Sequence, residues 1–199
     1  MKITIVDYGV GNLLSISKGL ERAGAKAEVT SDVAKLPGAD CLLFPGVGAF
    51  GAAVEKLKPV LPEIRQSIAS GTPALGICLG MQVMFERSEE STGEGLGVFR
   101  GEVKRLKAER IPQMGWNTVS WKDDPLFDGV SSGREFYFAN SYVCYPEENV
   151  IVGETEYGER FASTVRKGAL CGVQFHPEKS GQPGLKLLSN FVKIAEEVR

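Results

Sequence analysis

Cys78 lies in a sequence pattern that is typical of an enzymatic nucleophile. It belongs to the stretch GICLGMQ, in which Gly76 and Gly80 stand two residues to either side of it. This spacing predicts a nucleophile elbow, a sharp strand-to-helix turn that leaves no room for side chains at the glycines. The dipole and free N–H groups at the start of the following helix would favour a thiolate. From the local sequence alone, a buried and inert cysteine at the end of a core strand is an equally good interpretation.

The chain has a single histidine, His176, which could be the partner of this cysteine. A lone histidine is more often structural than catalytic, but this one ends the apolar run GVQF and precedes Pro177. Glu178 follows two residues on, and residues i and i+2 of an extended chain project to the same side. A carboxylate in that position can orient an imidazole and stabilise its charged form.

Both candidates come at the carboxyl ends of predicted core strands, the edge at which open α/β sheets bind ligands. Cys78 and His176 can therefore meet in space although they are distant in sequence. The inference is a Cys-His-Glu triad that transfers an acyl group through a thioester. Backbone N–H groups near Val47 and Leu79 would hold the oxyanion, since Pro45–Gly48 predicts an abrupt turn with exposed amides.

The elements that would position these groups follow from hydrophobic periodicity. The N-terminal part predicts an alternation of strands (2–7, 25–30, 40–44, 72–77) with helices (12–24, 49–58, 60–70, and one after Cys78 running to Arg87). This alternation predicts an open, mostly parallel, flavodoxin-like α/β sheet with helices on both faces. Strands at 98–106, 135–145, 150–154, 161–166 and 169–175 predict an antiparallel β extension of that sheet. An irregular segment at 111–119, a final helix at 184–198 and a single domain spanning 1–199 complete the expected organisation.

Composition excludes several classes of function. The chain has 199 residues, 43% of them hydrophobic and 24% charged, with a net charge of −2. It lacks the basic patch of a nucleic-acid-binding protein, and no stretch reaches membrane-spanning length. The start of the chain is too short in apolar residues for a signal peptide, and the four cysteines form no CxxC pair, so we expect reduced thiols, a cytoplasmic protein and no metal site. The turn GVGN has neither the full GxGxxG pattern nor a P-loop lysine, so we expect no nucleotide cofactor.

Three motifs resemble those of the class I glutamine amidotransferases, or triad glutaminases: PGVG, GICLGMQ and HPEKSG, in the family's order from residue 45 to 181. Four further stretches are similar to those of the glutaminase subunits of imidazole glycerol phosphate synthases, which act in histidine biosynthesis. They are DYGVGN (7–12), PGVGAFGAA (45–53), PQMGWN (112–117) and YFANSY (137–142). The resemblance covers essentially the whole chain.

This resemblance implies that Cys78 attacks the side-chain amide of L-glutamine and that water cleaves the resulting thioester, yielding glutamate and ammonia. His176 would act as general base and acid, oriented by Glu178. The oxyanion strand would be the backbone at Gly46-Val47, which in the family can require reorientation before it donates. Positions matching the family's glutamine contacts are Gly48, Gln82, Glu90, Ser141 and Tyr142, with Glu90 suited to the α-ammonium group.

The resemblance also implies a partner, an eight-stranded βα barrel synthase. The barrel would take the ammonia through its interior and form imidazole glycerol phosphate and an aminoimidazole carboxamide ribotide. Positions matching the family's interface are Asn12, Met114, Trp116, Tyr137 and Lys179. Exposed aromatic residues and Met are typical interface anchors, although local packing beneath a loop is an alternative interpretation of Trp116.

One residue departs from the family pattern. Related sequences usually carry histidine where the YFANSY stretch has Asn140. Asparagine retains hydrogen-bonding capacity but does not titrate near neutral pH. The departure leaves the triad intact and argues against an auxiliary role for a titrating side chain at this position in regulation or interface signalling.

Three alternatives remain open. The chain could be a glutaminase that serves another amidotransferase, or a non-catalytic scaffold subunit of the same fold. A cysteine peptidase on a related fold is a third alternative, though it would have no evident use for Gln82 and Glu90. Glutamate release, and the acceptor synthase that stimulates it, would distinguish these functions.

Overall fold

A computed structural model of the protein describes residues 1–9 and 11–198. Val10, in the DYGVGN stretch, and Arg199 lie outside the described residues. The strands are β1 (Lys2–Val6), β2 (Lys26–Thr30), β3 (Leu42–Phe44), β4 (Ala74–Ile77), β5 (Arg87–Ser88), β6 (Gly101–Arg105), β7 (Gln113–Thr118), β8 (Ser120–Trp121), β9 (Glu135–Asn140), β10 (Tyr142–Pro146), β11 (Ile151–Tyr157), β12 (Glu159–Lys167) and β13 (Leu170–Val173). The α-helices are α1 (Leu13–Arg22), α2 (Phe50–Leu57), α3 (Leu61–Ala69), α4 (Leu79–Val83) and α5 (Gly181–Glu197).

The main sheet has a parallel half and an antiparallel half. Strands β2, β1, β3, β4 and β13 pair in parallel in that order. From β13 the sheet continues through β12, β10 and β6 in antiparallel pairs. The predicted α/β fold with a β extension is therefore confirmed.

Helices cover both faces of the parallel half. On one face, α1 and α5 bury Ile16, Leu20, Leu188 and Phe191 against the strands. On the other face, α2 and α3 contribute a second set of apolar side chains: Phe50, Val54, Leu57, Ile64 and Ile68. Strands buried on both sides need to be apolar throughout, which is why the central strand β4 reads ALGI without alternation.

The segment at 111–119, expected to be irregular, is instead strand β7. It pairs antiparallel with β9 in a separate two-stranded sheet, with Gln113 opposite Asn140. Its exposed face carries Met114 and Trp116, while its inner face consists of polar and small residues. The usual signal of apolar residues pointing inward is therefore reversed, and this is why the strand was missed.

The expected single strand 135–145 is two strands that belong to different sheets. The chain leaves the small sheet after Asn140 and enters the main sheet at Tyr142, where β10 pairs with β6 and β12. Part of the predicted extension is thus not an extension of the main sheet. Ser141 is the one residue between the two strands, and a single residue gives little sequence signal of a break.

Two helix boundaries also differ from expectation. Helix α4 ends at Val83 instead of continuing to Arg87, because the amides of residues 98 and 99 reach back to the carbonyl oxygen of Met84. Helix α5 begins at Gly181, earlier than predicted. Among the described residues, no helix has the length and apolar character needed to cross a membrane.

Candidate active site

Cys78 occupies a sharp turn between β4 and α4. Its backbone has φ 50° and ψ −106°, and it is the one non-glycine residue with positive φ among those described. A Cβ at Gly80 would overlap the carbonyl oxygen of Phe44, and one at Gly76 would lie 2.6 Å from the amide nitrogen of Met81. Gly76 therefore lets strand β4 contact helix α4, and Gly80 lets the helix contact the end of β3. The sulfur is presented at the carboxyl edge of the sheet.

His176 lies at the same edge because β13 pairs with β4. The backbone N–H of Cys78 donates to the carbonyl oxygen of Val173 at 2.7 Å, three residues before the histidine. The N–H of His176 donates to the carbonyl oxygen of Tyr137 at 2.8 Å. Parallel pairing thus brings two distant parts of the sequence together.

The His176 imidazole is held by Glu178. Its Nδ1 lies 2.9 Å from Oε1 of the carboxylate, and the two side chains are 2% and 3% exposed. The other ring nitrogen, Nε2, is buried without a hydrogen-bond partner. Burial lowers the pKa of His176, but the nearby Cys78 thiolate and the Glu178 carboxylate together outweigh it and raise the pKa to about 10. The imidazole is therefore coupled to a sulfur on one side and to a carboxylate on the other.

Ser180 secures this arrangement and was not anticipated from the sequence. Its hydroxyl donates to the carbonyl oxygen of His176 at 2.6 Å and accepts from the N–H of Tyr137 at 3.0 Å. The turn that carries the histidine is thereby tied to strand β9. The HPEKSG motif contains this serine, but nothing in its spacing indicated a role.

A cavity of about 250 Å³ opens beside Cys78. Every residue predicted to contact glutamine or the oxyanion lines it, together with the nucleophile: Val47, Gly48, Cys78, Leu79, Gln82, Glu90, Ser141 and Tyr142. Asn140 and Met114 also line it. In residues 1–9 and 11–198, no group of three or more His, Cys, Asp or Glu side chains could hold a metal ion.

Two of the lining side chains already have structural hydrogen bonds. Oε2 of Glu90 accepts the N–H of Phe50 at 2.7 Å, at the start of helix α2, where Ala49 offers no capping side chain. Nε2 of Gln82 donates to the carbonyl oxygen of Tyr142 at 3.0 Å and to Oε1 of Gln174 at 3.3 Å. Both side chains are thus held in place at the cavity wall.

The predicted interface residues are exposed to different extents. Met114 and Trp116 are 68% and 55% exposed, so Trp116 is not packed beneath a loop. Tyr137 lies edge-on to Trp116, with ring centroids 6.1 Å apart, and Nζ of Lys179 lies 5.4 Å from the centre of the Tyr137 ring. Asn12 is exposed and caps helix α1 by accepting the N–H of Ser15.

Gln174 is a second residue near the nucleophile whose role the sequence did not predict. It is fully buried, and its Nε2 lies 3.4 Å from the sulfur of Cys78. A polar residue in the apolar run GVQF was the available signal. No pattern in the sequence indicated what it contacts.

Comparisons with known proteins show where this fold and sequence recur. The profile of the family described as "Glutamine amidotransferase class-I" matches residues 4–195. A protein named imidazole glycerol phosphate synthase subunit HisH, from Thermococcus kodakarensis, is 48% identical over 96% of this chain and 100% of its own length. The protein of the same name from Methanopyrus kandleri is 50% identical over 96% of this chain and 98% of its own.

Solved structures share the fold at lower sequence identity. A crystal structure described as glutamine amidotransferase matches with a TM-score of 0.77 and 19% identity, covering 98% of each chain. A structure described as PurLQS, from Thermotoga maritima, matches with a TM-score of 0.74 and 17% identity, covering 96% of this chain and 97% of that one. These two likenesses establish the fold alone.

Proposed function

The chain belongs to the class-I glutamine amidotransferase family, and on that premise we propose that it is the glutaminase subunit of an imidazole glycerol phosphate synthase. It hydrolyses L-glutamine to glutamate and ammonia, and Cys78, His176 and Glu178 carry out the chemistry. The observation that carries this proposal is the cavity beside Cys78, whose lining coincides with the positions matching the family's glutamine contacts.

The first step is attack of the Cys78 sulfur on the side-chain carbonyl carbon of glutamine. A C–S bond forms and the carbonyl π pair moves to oxygen. The N–H of Leu79 belongs to the first turn of α4 and has no partner within the helix, so it can donate to this oxygen. The backbone at Val47, which also lines the cavity, supplies a second donor when it is oriented toward the oxyanion.

The second step expels ammonia. Nε2 of protonated His176 donates its proton to the leaving nitrogen as the C–N bond breaks, and the thioester remains. Since Nδ1 is engaged by Glu178, Nε2 is the nitrogen that is available for this transfer. The now neutral imidazole then takes a proton from water, whose oxygen attacks the thioester and displaces the sulfur as glutamate forms.

The substrate is oriented by other groups that line the cavity. The Glu90 carboxylate can pair with the α-ammonium group while it retains its bond to the start of α2. Ser141 and Tyr142 present backbone at the break between β9 and β10. A free amino acid, with an ammonium and a carboxylate near each other, suits these contacts better than an internal peptide residue does.

The ammonia-consuming partner is a synthase subunit, which we propose to be an eight-stranded βα barrel. Two relatives that are about half identical to this chain are named as subunits of such a synthase. Met114 lines the cavity and is also exposed, and Trp116 is exposed on the same strand face. A partner docked on this face would cover the cavity mouth and receive ammonia directly.

The proposal is tested by measuring glutamate release from L-glutamine by the purified chain, alone and with the barrel subunit plus its nucleotide ligand. We expect slow hydrolysis alone and at least tenfold acceleration with the liganded partner, within the usual range of coupling between sites. Cys78→Ala should abolish release in both conditions while retaining partner binding. Equal rates with and without the barrel would contradict the coupling.

The alternative functions give different results in the same assay. Stimulation by another amidotransferase synthase and not by the barrel would assign the chain to a different pathway. No glutamate release under any condition would make it a scaffold subunit. The high identity to synthase subunits over nearly the whole chain favours the barrel partner.

A further inference from the structure

We propose that Gln174 is a positioning residue for the nucleophile, and that its side-chain amide donates a hydrogen bond to the sulfur of Cys78. Gln82 and the backbone at Tyr142 fix the direction of this hydrogen bond. The inference rests on the proposed function in taking Cys78 as the nucleophile, but it concerns the reactivity of the sulfur and not the identity of the substrate.

Three hydrogen bonds connect the sulfur to the backbone of strand β10. Nε2 of Gln174 lies 3.4 Å from Sγ of Cys78, and its Oε1 accepts from Nε2 of Gln82 at 3.3 Å. The same Gln82 nitrogen donates to the carbonyl oxygen of Tyr142 at 3.0 Å. Gln174 is fully buried and Gln82 is 5% exposed, so little of either amide is open to water.

The orientation of both side-chain amides follows from the carbonyl oxygen of Tyr142, the last group in this series of hydrogen bonds. A backbone carbonyl oxygen can only accept, so Gln82 must turn its NH₂ group toward Tyr142. Nδ2 of Asn140 donates to the same oxygen at 3.2 Å. One N–H of the Gln82 amide donates to Tyr142, and the other N–H donates to Gln174. Gln174 must therefore turn its side-chain oxygen toward Gln82. The NH₂ group of Gln174 is therefore left facing the sulfur, and a flip of either amide would set like groups against each other.

A fixed donor at the sulfur favours the thiolate over the thiol. Hydrogen bonds to a charged acceptor are roughly twice as strong as those to a neutral one. In the thiol form, Sγ can donate to the carbonyl oxygen of Ala139, 3.8 Å away. Once the proton is lost, the Gln174 N–H remains and holds the sulfur at the cavity wall, so it both stabilises and aims the nucleophile.

Few other groups near the sulfur titrate. His176, with Glu178 behind it, is coupled to Cys78 directly. Cys144 is fully buried, and burial followed by the charge of Cys78 raises its pKa. Glu90 lines the cavity together with Cys78. Gln174 itself does not titrate, so its removal changes the pH dependence of sulfur reactivity without removing an ionisable group.

The test is the rate at which iodoacetamide alkylates Cys78, located by mass spectrometry, in the full chain. Gln174→Met keeps the length of the side chain and removes the donor. We expect alkylation about tenfold slower at neutral pH, and a half-maximal pH about one unit higher, since a charge-assisted hydrogen bond is lost. The matched control is Ser163→Ala, because Ser163 is buried, accepts the N–H of Gln174 through its backbone and has a hydroxyl without a partner. Its alkylation rate should not change.

Gln82→Met provides a second variant that leaves Gln174 in place but frees its amide to turn. It should slow alkylation in the same direction by a smaller factor, and the double variant should be no slower than Gln174→Met alone. Wild-type alkylation in a folded Gln174→Met variant overturns the proposal. Where Gln174→Met does not fold, a wild-type rate in Gln82→Met overturns it. Normal alkylation of the wild-type chain without any glutamate release would refute the proposed function and leave this inference standing.

Discussion

The pKa of His176 is set by opposing effects of burial and of neighbouring negative charges. Burial alone would lower the pKa of this imidazole, yet the Cys78 thiolate and the Glu178 carboxylate raise it to about 10 from an ordinary 6.5. At neutral pH the imidazole therefore carries a proton, which is available to the leaving nitrogen. Because the folded protein binds this proton more tightly than the unfolded chain, the proton stabilises the fold below about pH 6.5. That contribution is lost as the pH rises through about 10.

The pKa of His176 can be measured directly, because the chain has one histidine. In a protein without a histidine tag, the imidazole carbon-bound protons give a single set of NMR signals. We expect their titration midpoint near pH 10 in the wild type. Cys78→Ala and Glu178→Gln should each move the midpoint down, since each removes a negative charge beside the ring.

Gln113→Leu is the control for that titration. This residue is buried in the small sheet, and both of its side-chain amide atoms lack partners. It carries no charge, so the midpoint of His176 should stay in place. A midpoint near 6.5 in the wild type would show that the imidazole is not coupled to the sulfur.

The nucleophile elbow is an element that stores backbone strain. Cys78 has φ 50° and ψ −106°, a region in which glycine is nearly the only comfortable residue. The turn persists because β4 is paired on both sides and Gly80 lets α4 lie against Phe44. The strain costs on the order of 1–3 kcal/mol, which the surrounding sheet offsets.

Strain at the elbow predicts an unusual order of stability for two inactive variants. Cys78→Gly should be more stable than Cys78→Ala by about 1 kcal/mol, since glycine relieves the strain but gains unfolded-state entropy. The unfolding midpoint measured by calorimetry should differ by about 2–4 °C.

A helical site supplies the comparison for this prediction. Ala69 is exposed at the end of α3 with ordinary helical geometry. Ala69→Gly should lower the midpoint, so that glycine is worse than alanine there. The same order at both sites, with glycine less stable, would show that the elbow carries no strain.

At the scale of the whole molecule, the cavity and the exposed apolar side chains share one side of the fold. Met114 is the point at which they meet, because it lines the cavity and is 68% exposed. Trp116 continues that surface along β7, and its ring lies edge-on to that of Tyr137. A large exposed aromatic side chain is a typical interface anchor.

Removal of Trp116 should weaken binding of the barrel subunit. We expect Trp116→Ala to raise the dissociation constant about 30-fold, equivalent to about 2 kcal/mol, as measured by calorimetric titration. The unfolding midpoint should change little, because the side chain is more than half exposed. Val29→Ala, which trims an exposed apolar residue on the outer edge strand β2, should leave binding unchanged. Equal affinities of the two variants for the barrel subunit would show that the face carrying Trp116 is not the interface.

The sequence by itself predicted features that depend on local sterics and on strand order. At Gly76 a side chain would meet Met81, five residues on, so this constraint lies within the elbow itself. The alternation of strands and helices was sufficient to predict the parallel sheet. The placement of Cys78 and His176 at one edge then required only that both follow parallel strands.

The pairing of distant segments depends on how the whole chain packs. Strand β7 presents its apolar residues to solvent, so its pattern pointed away from its pairing with β9, and Ser141 gave little sign of the passage between two sheets. The link from Gln174 to Cys78 likewise depends on β10, which supplies the carbonyl oxygen that orients Gln82. Such contacts join residues up to 96 positions apart. Their geometry depends on the register in which the strands pair. A sequence pattern does not specify that register, because it is fixed only when the strands pack together.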